Sequence, residues 1–219
     1  MSSRTRQQIL DTARVLFNAQ GLHRVGVRDV ARALGMSPGN LAYHFPTKDD
    51  LVAALWLELH EHLAGTLIEP LPERIPFATF YRTVVLTMRS ILPFRFVLLS
   101  HVDARLPTRE QQRRRDAMRD RIHARDRRLL AGLVAAKHLD PRRLAQAPYL
   151  QDQADLISSG WLAAAQGRGW TDDQQITLHY AKVGTALLAP LCTSNGAREL
   201  RRVLAGACDA SLASVPPER

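Results

Sequence analysis

Between Val27 and Phe45 the chain reads V-R-D-V-A-R-A-L-G-M-S-P-G-N-L-A-Y-H-F, and this stretch restricts the possible folds more than any other. Val27, Val30, Ala31 and Leu34 recur at i, i+3, i+4 and i+7, which is one apolar stripe on an α-helix. Gly35 then stands where a left-handed cap stops a helix. Ser37-Pro38 follows with an N-cap hydroxyl and a proline for the first helical position. The spacing predicts two short helices joined by about three residues, the geometry that sets a helix into the major groove of DNA.

The second of these helices has Leu41 and Phe45 four apart, enough to hold one side against a core. Its other side carries Ser37, Gly39, Asn40, Tyr43 and His44, none of which needs burial. Hydroxyl, amide, phenol and imidazole groups all bond to base edges or phosphate oxygens. Thr47-Lys48-Asp49-Asp50 has the form of a capping box, with Asp where Glu or Gln is usual, and opens a third helix. Lys48 falls in its first turn, where backbone N–H groups and an ammonium together suit a phosphate. Upstream, Ile9, Leu10, Ala13, Leu16 and Phe17 form the stripe of a first helix from about Arg4 to Gln20, closed by Gly21.

Taken together, residues Arg4 to about His60 resemble the DNA-binding domain of the TetR family of bacterial transcriptional regulators. The run G-N-L-A-Y-H-F-P-T-K-D-D-L carries most of that resemblance. It implies that Gly39, Asn40, Tyr43, His44 and Lys48 face DNA; Arg28, Ser37 and Pro38, at the openings of the two motif helices, complete the candidate set. Two positions depart from the pattern. Gly26 stands where the family commonly has Thr or Ser, and Ala42 where a tyrosine is common. Both remove expected phosphate contacts, so they should lower affinity more than sequence readout.

The rest of the chain is patterned for helices, with breaks at prolines and at Gly167 to Gly169. The intervals predict helices near 48–67, 77–92, 94–104, 109–138, 149–166, 172–189 and 197–213. An all-α fold is therefore expected: a three-helix DNA-binding domain over 1–50, and a larger helical effector-binding and dimerisation domain over 51–215. The helix from 48 to about 67 would link the two and carry a signal between them.

Net charge is +9, yet residues 1–50 hold seven basic and four acidic side chains, while 105–143 hold thirteen and five. Most of the excess lies outside the helix-turn-helix, so pI alone is weak support for DNA binding. The arginine-rich block from Arg113 to Arg128 reads as a solvated face of one long helix opened by a Thr108-Arg-Glu-Gln111 capping box. No apolar run reaches the roughly 18 to 20 residues of a membrane span, and no apolar stretch follows the opening Met-Ser-Ser-Arg. A cytoplasmic protein is expected. Cys192 and Cys208 lack metal-ligand spacing and read as reduced thiols.

A single short recognition helix makes too few base contacts to define a unique site, whereas a two-fold pair reads a palindrome. The family resemblance also implies a homodimer. Ile157, Trp161 and Ala164 on one helix, with Ile176, Tyr180, Val183, Gly184, Leu187 and Leu188 on the next, are the expected interface, closing a four-helix bundle with the partner copy. The resemblance further implies a C-terminal pocket for a small apolar or amphipathic effector. Phe77, Phe80, Tyr81, Met88, Phe94, Phe96 and Trp161 would line it, and His101 would orient the ligand. An aromatic core with no cavity gives the same helical stripe.

Enzyme functions find no support. His60-Glu61-His62 points its imidazoles about 200° apart on a helix, unlike a zinc-protease pair, and reads as solvated. Ser158-Ser159-Gly160 lacks the strand-to-helix setting of a hydrolase nucleophile. No cofactor or metal is expected. The expectation is a homodimeric repressor of a palindromic double-stranded operator, released by an effector; a regulator without a ligand and a helical protein-binding adaptor are the alternatives.

Overall fold

The computed structural model describes residues 2–66, 71–100 and 108–209. Among the described residues there is no strand, and one isolated bridge pairs Leu139 with Cys192. The helices are α1 (Ser2–Gln20), α2 (Val27–Ala33), α3 (Pro38–His44), α4 (Lys48–Thr66), α5 (Phe77–Ile91), α6 (Arg95–Leu99), α7 (Arg109–Ala135), α8 (Pro141–Ala145), α9 (Leu150–Gly167), α10 (Asp173–Ala186) and α11 (Ser194–Leu204). The fold is all-α, with an N-terminal helix-turn-helix followed by a larger helical region. Packing divides the chain into a unit of Met1–Ala64 with Pro93–Met118 and a unit of Gly65–Leu92 with Arg119–Arg219.

In the first unit, α1 buries Ile9, Leu10, Ala13 and Phe17 in a core shared with Val30, Ala31, Leu41, Phe45, Leu51 and Leu55. Each of the larger side chains contributes about 2 kcal/mol by leaving water. The Phe17 and Phe96 rings meet in a tilted pair at 5.3 Å. Asn18 fixes the start of α6 from both sides, donating to Pro93 O at 2.7 Å and accepting from Phe96 N at 3.1 Å. That bond satisfies one of the orphan donors at a helix start.

In the second unit, α5 turns Phe77, Tyr81, Val85 and Met88 inward at i, i+4, i+8 and i+11. It packs on α10 and α11. Two glycines allow close approach. A Cβ at Gly196 would sit 1.9 Å from His138 O, and one at Gly132 would meet Ile75 Cδ1 at 2.5 Å. The Tyr81 hydroxyl bonds Asp209 Oδ1 at 2.9 Å, and Lys182 Nζ holds Asp209 Oδ2 at 2.6 Å. Burial, and then the Asp209 carboxylate, push the Tyr81 phenol above its ordinary range.

Several helix ends differ from the sequence expectation, each for a local reason. α7 stops at Ala135 rather than 138, because Lys137 takes a left-handed φ of 61° and His138 N returns to Leu133 O at 2.9 Å. α8 was not expected, although its signal is present: Asp140 accepts from Arg142 N at 2.8 Å and Pro141 follows it. α10 starts at Asp173, because Asp172 caps it by accepting from Gln175 N at 2.7 Å. α11 starts at Ser194 because Thr193 Oγ1 caps Gly196 N at 3.0 Å. The last part of the expected helix 94–104 lies outside the described residues.

Candidate nucleic-acid interface

The turn between α2 and α3 is built from backbone bonds and one glycine. Gly35 N donates to Arg32 O at 3.1 Å and Met36 N to Ala31 O at 3.0 Å, the paired bonds of a Schellman closure. They require the left-handed φ of 64° that Gly35 adopts. Ser37 Oγ then accepts from Asn40 N at 3.2 Å, with Pro38 at the first helical position. At the other end of α2, Gly26 has no side chain to cap with, and Asp29 Oδ2 accepts the Gly26 N–H at 2.9 Å instead. The α4 capping box closes reciprocally: Asp50 N donates to Thr47 Oγ1 and Thr47 N to Asp50 Oδ2, both at 3.1 Å.

α3 is anchored by Leu41 and Phe45, which are 1% and 2% exposed. Two such side chains outweigh the Ser37 cap, whose loss would cost about 1 kcal/mol. The opposite side stays in solvent. Arg28, Ser37, Pro38, Gly39, Asn40 and Tyr43 are exposed and His44 is half-buried. Tyr43 is 81% exposed, with its ring edge-on to His44 at 5.3 Å. Burial does not account for a phenol left so far out. Thus Pro38, Gly39, Asn40, Tyr43 and His44 share one short helix, with Ser37 as its N-cap.

Lys48 has a further partner. Its ammonium donates to Leu22 O and lies 5.9 Å from the Phe17 ring, so it ties the start of α4 to the turn after α1. An ammonium has three donors, so this bond leaves others for a phosphate. Sequence reading missed Arg6. Its guanidinium lies 4.8 Å over the Phe45 ring, placing a cation at the C-terminal end of α3. The contact joins residues distant in the chain and leaves no periodic signal.

The aromatic residues proposed as one effector lining are divided between the two units. Phe94 and Phe96 belong to the first unit, while Phe77, Phe80, Tyr81, Met88 and Trp161 belong to the second. Phe77 and Tyr81 are fully buried, Met88 and Trp161 nearly so, and Phe80 is half-buried. His101 lies outside the described residues. Of the residues proposed for a dimer interface, Trp161, Ile176, Tyr180 and Leu188 are already buried within one chain. Ala164 and Val183 are exposed, and Ile157, Gly184 and Leu187 half-buried. Leu156, 73% exposed on α9, was not among them.

In the His60-Glu61-His62 stretch Glu61 is solvated as expected, but the two histidines are half-buried. His60 meets the Trp56 ring at a tilt of 56°, and burial lowers its pKa to about 4; His62 lies 6.0 Å from Phe94. No group of residues among those described could hold a metal ion. No helix of the described residues is long and apolar enough to cross a membrane.

Residues 9–55 match the model of the bacterial regulatory proteins, tetR family. The transcriptional regulator AcrR of Shigella flexneri is 41% identical over 63 residues, 29% of this chain and 29% of AcrR. Residues 9–55 are thus similar to the TetR-family regulators. The match to that relative thus spans under a third of its length. Over the whole fold, a TetR-family transcriptional regulator from Marinobacter aquaeolei VT8 superposes with a TM-score of 0.75 at 22% identity, covering 95% of this chain and 98% of the other. SmeT in complex with triclosan superposes with a TM-score of 0.57 at 18% identity over 89% of this chain and 94% of SmeT. The helical fold is thus shared with both of these proteins at low sequence identity.

Proposed function

We propose that the protein is a cytoplasmic, homodimeric repressor that reads a palindromic operator in double-stranded DNA and leaves it when a small effector binds the C-terminal region. The observation that carries this is the exposed polar side of α3, projected from a fixed turn and anchored from behind by Leu41 and Phe45. Functionally, residues 1–50 would form the DNA-binding domain and 51–215 the effector-binding and dimerisation domain. Arg28, Ser37, Pro38 and Lys48 would hold phosphates, and Gly39 would let the backbone come close. Asn40, Tyr43 and His44 would reach base edges. The triclosan bound in SmeT supports a small-molecule effector.

An effector acts by binding the DNA-incompetent arrangement more tightly and shifting the population towards it. Half-sites are met when two recognition helices lie about 34 Å apart or a multiple of that, so a small change in separation loses much affinity.

Selection of bound sequences from randomised duplex DNA at two salt concentrations tests the proposal. A recovered palindrome, whose preference at one base position is relaxed by Asn40→Ala, is expected. Recovery without enrichment would make the helix-turn-helix a scaffold and favour the protein-binding adaptor.

A further inference from the structure

Arg6 stands one turn before Ile9 and Leu10 on α1, on the side that the buried Ile9, Leu10, Ala13 and Phe17 turn to the core. An apolar side chain there would extend that core. Arg6 is instead exposed, and its guanidinium lies 4.8 Å over the ring of Phe45, the C-cap of α3. The charged head is thus held in water at the end of the candidate recognition helix.

That cation has no counter-charge. Arg14 pairs with Asp11 and Arg32 with Asp29, whereas among the described residues no carboxylate pairs with Arg6. Contact with a ring face draws on the ring's quadrupole and uses none of the five N–H donors of the fork. They stay available to an anion. The same contact keeps the planar group in one place, which lowers the entropy lost when an anion binds.

The position selects the anion. α3 has seven residues, a length of about 10 Å, close to the roughly 12 Å width of the major groove. A run of phosphates therefore passes near each end of a helix set in that groove. At a C-terminal end the last carbonyls carry partial negative charge and repel a phosphate. Arg6 places a full positive charge at that end and reverses the sign.

We propose that Arg6 is a further DNA-phosphate contact, stationed at the C-terminal end of α3 by the Phe45 ring. The inference rests on the DNA-binding reading above and adds to it a residue of α1, outside the helix-turn-helix. A contact of this kind strengthens binding to every sequence and fixes how α3 sits, without choosing a base.

The test uses the full chain with two duplexes of equal length, the sequence recovered by selection and an unrelated one, and affinity is measured between about 50 and 200 mM salt. Arg6→Met removes the charge but keeps an unbranched side chain able to cover the Phe45 ring. It should lower the salt slope by about one and weaken both duplexes alike, by about tenfold at the lower salt. Its Tm should change by no more than about 2 °C. Arg6→Lys should keep the slope. Arg202→Gln, which removes an exposed charge from α11, should leave it unchanged.

An unchanged slope in Arg6→Met overturns the proposal. So does an equal fall in Arg202→Gln, which would make the effect one of net charge. A lower Tm with the slope kept would make Arg6 a support for Phe45 alone. Arg6→Gln is read beside Arg6→Met, so that if one variant fails to fold the other decides. A wild-type protein retained by neither duplex removes the regulator reading and this contact together; retention to which Arg6 is indifferent removes only the contact.

Discussion

α3 and the α9–α10 pair use their side chains in opposite ways. α3 has seven residues and buries only Leu41, leaving its amide and phenol groups in solvent. α9 and α10 bury Trp161, Leu162, Ala165, Ile176, Thr177, Tyr180, Ala181 and Thr185. On α3 a residue's chemistry indicates function, because packing does not explain its exposure. On α9 and α10 the large apolar residues are first of all the core of a single chain. A partner copy would have to meet what is left outside, such as Leu156, Val183 and Ala164.

The largest effect expected is at the anchor of α3. Leu41→Ala should destabilise the protein by about 3 kcal/mol, through lost burial and the cavity left behind. DNA binding should fall with it, because the polar face loses its support. Thermal unfolding read beside DNA retention checks this, and an unchanged Tm would show that α3 is not held by its apolar side.

Acidification should act on the first unit through His60. Its folded pKa is lowered from 6.5 to about 4, so the unfolded chain binds the proton first. The contribution of neutral His60 is complete above about pH 6.5 and is lost as pH falls from there through about 4. His60→Gln should therefore flatten the decline of Tm between those values. A decline as steep as in the wild type would assign it to other groups.

Tyr43→Ala is the converse of Leu41→Ala. Stability should change by about 0.5 kcal/mol or less, while operator affinity should drop about tenfold or more. A large loss of stability would break the contrast between the two sides of α3. Lys48→Ala gives the smallest and most divided effect. Freeing Leu22 O should cost about 1 kcal/mol, and loss of one phosphate contact should lower the salt slope by about one. A lower Tm with an unchanged slope would make Lys48 a strut alone.

Much of the candidate interface was legible because its determinants are local. The Gly35 closure, the Ser37 cap and the Thr47–Asp50 box each join groups within five residues of one another, so spacing in the sequence fixes spacing in space. Arg6 over Phe45 and Lys48 on Leu22 O join distant parts of the chain, and nothing in the periodicity announces them. The aromatic residues proposed as an effector lining were hard to place for a related reason. A helical stripe marks a side that turns inward, but it does not show which neighbours fill the space, and Phe94 and Phe96 turned into a different unit from Phe77 and Tyr81.

By itself the sequence determined the helical class, the two pinched helices and the set of polar groups displayed on α3, because caps and stripes act over one or two turns. Only tertiary structure decided which inward-facing aromatics became core and where Lys48 and Arg6 settled. Those outcomes depend on packing between residues far apart in the chain, where burial and desolvation outweigh local preference.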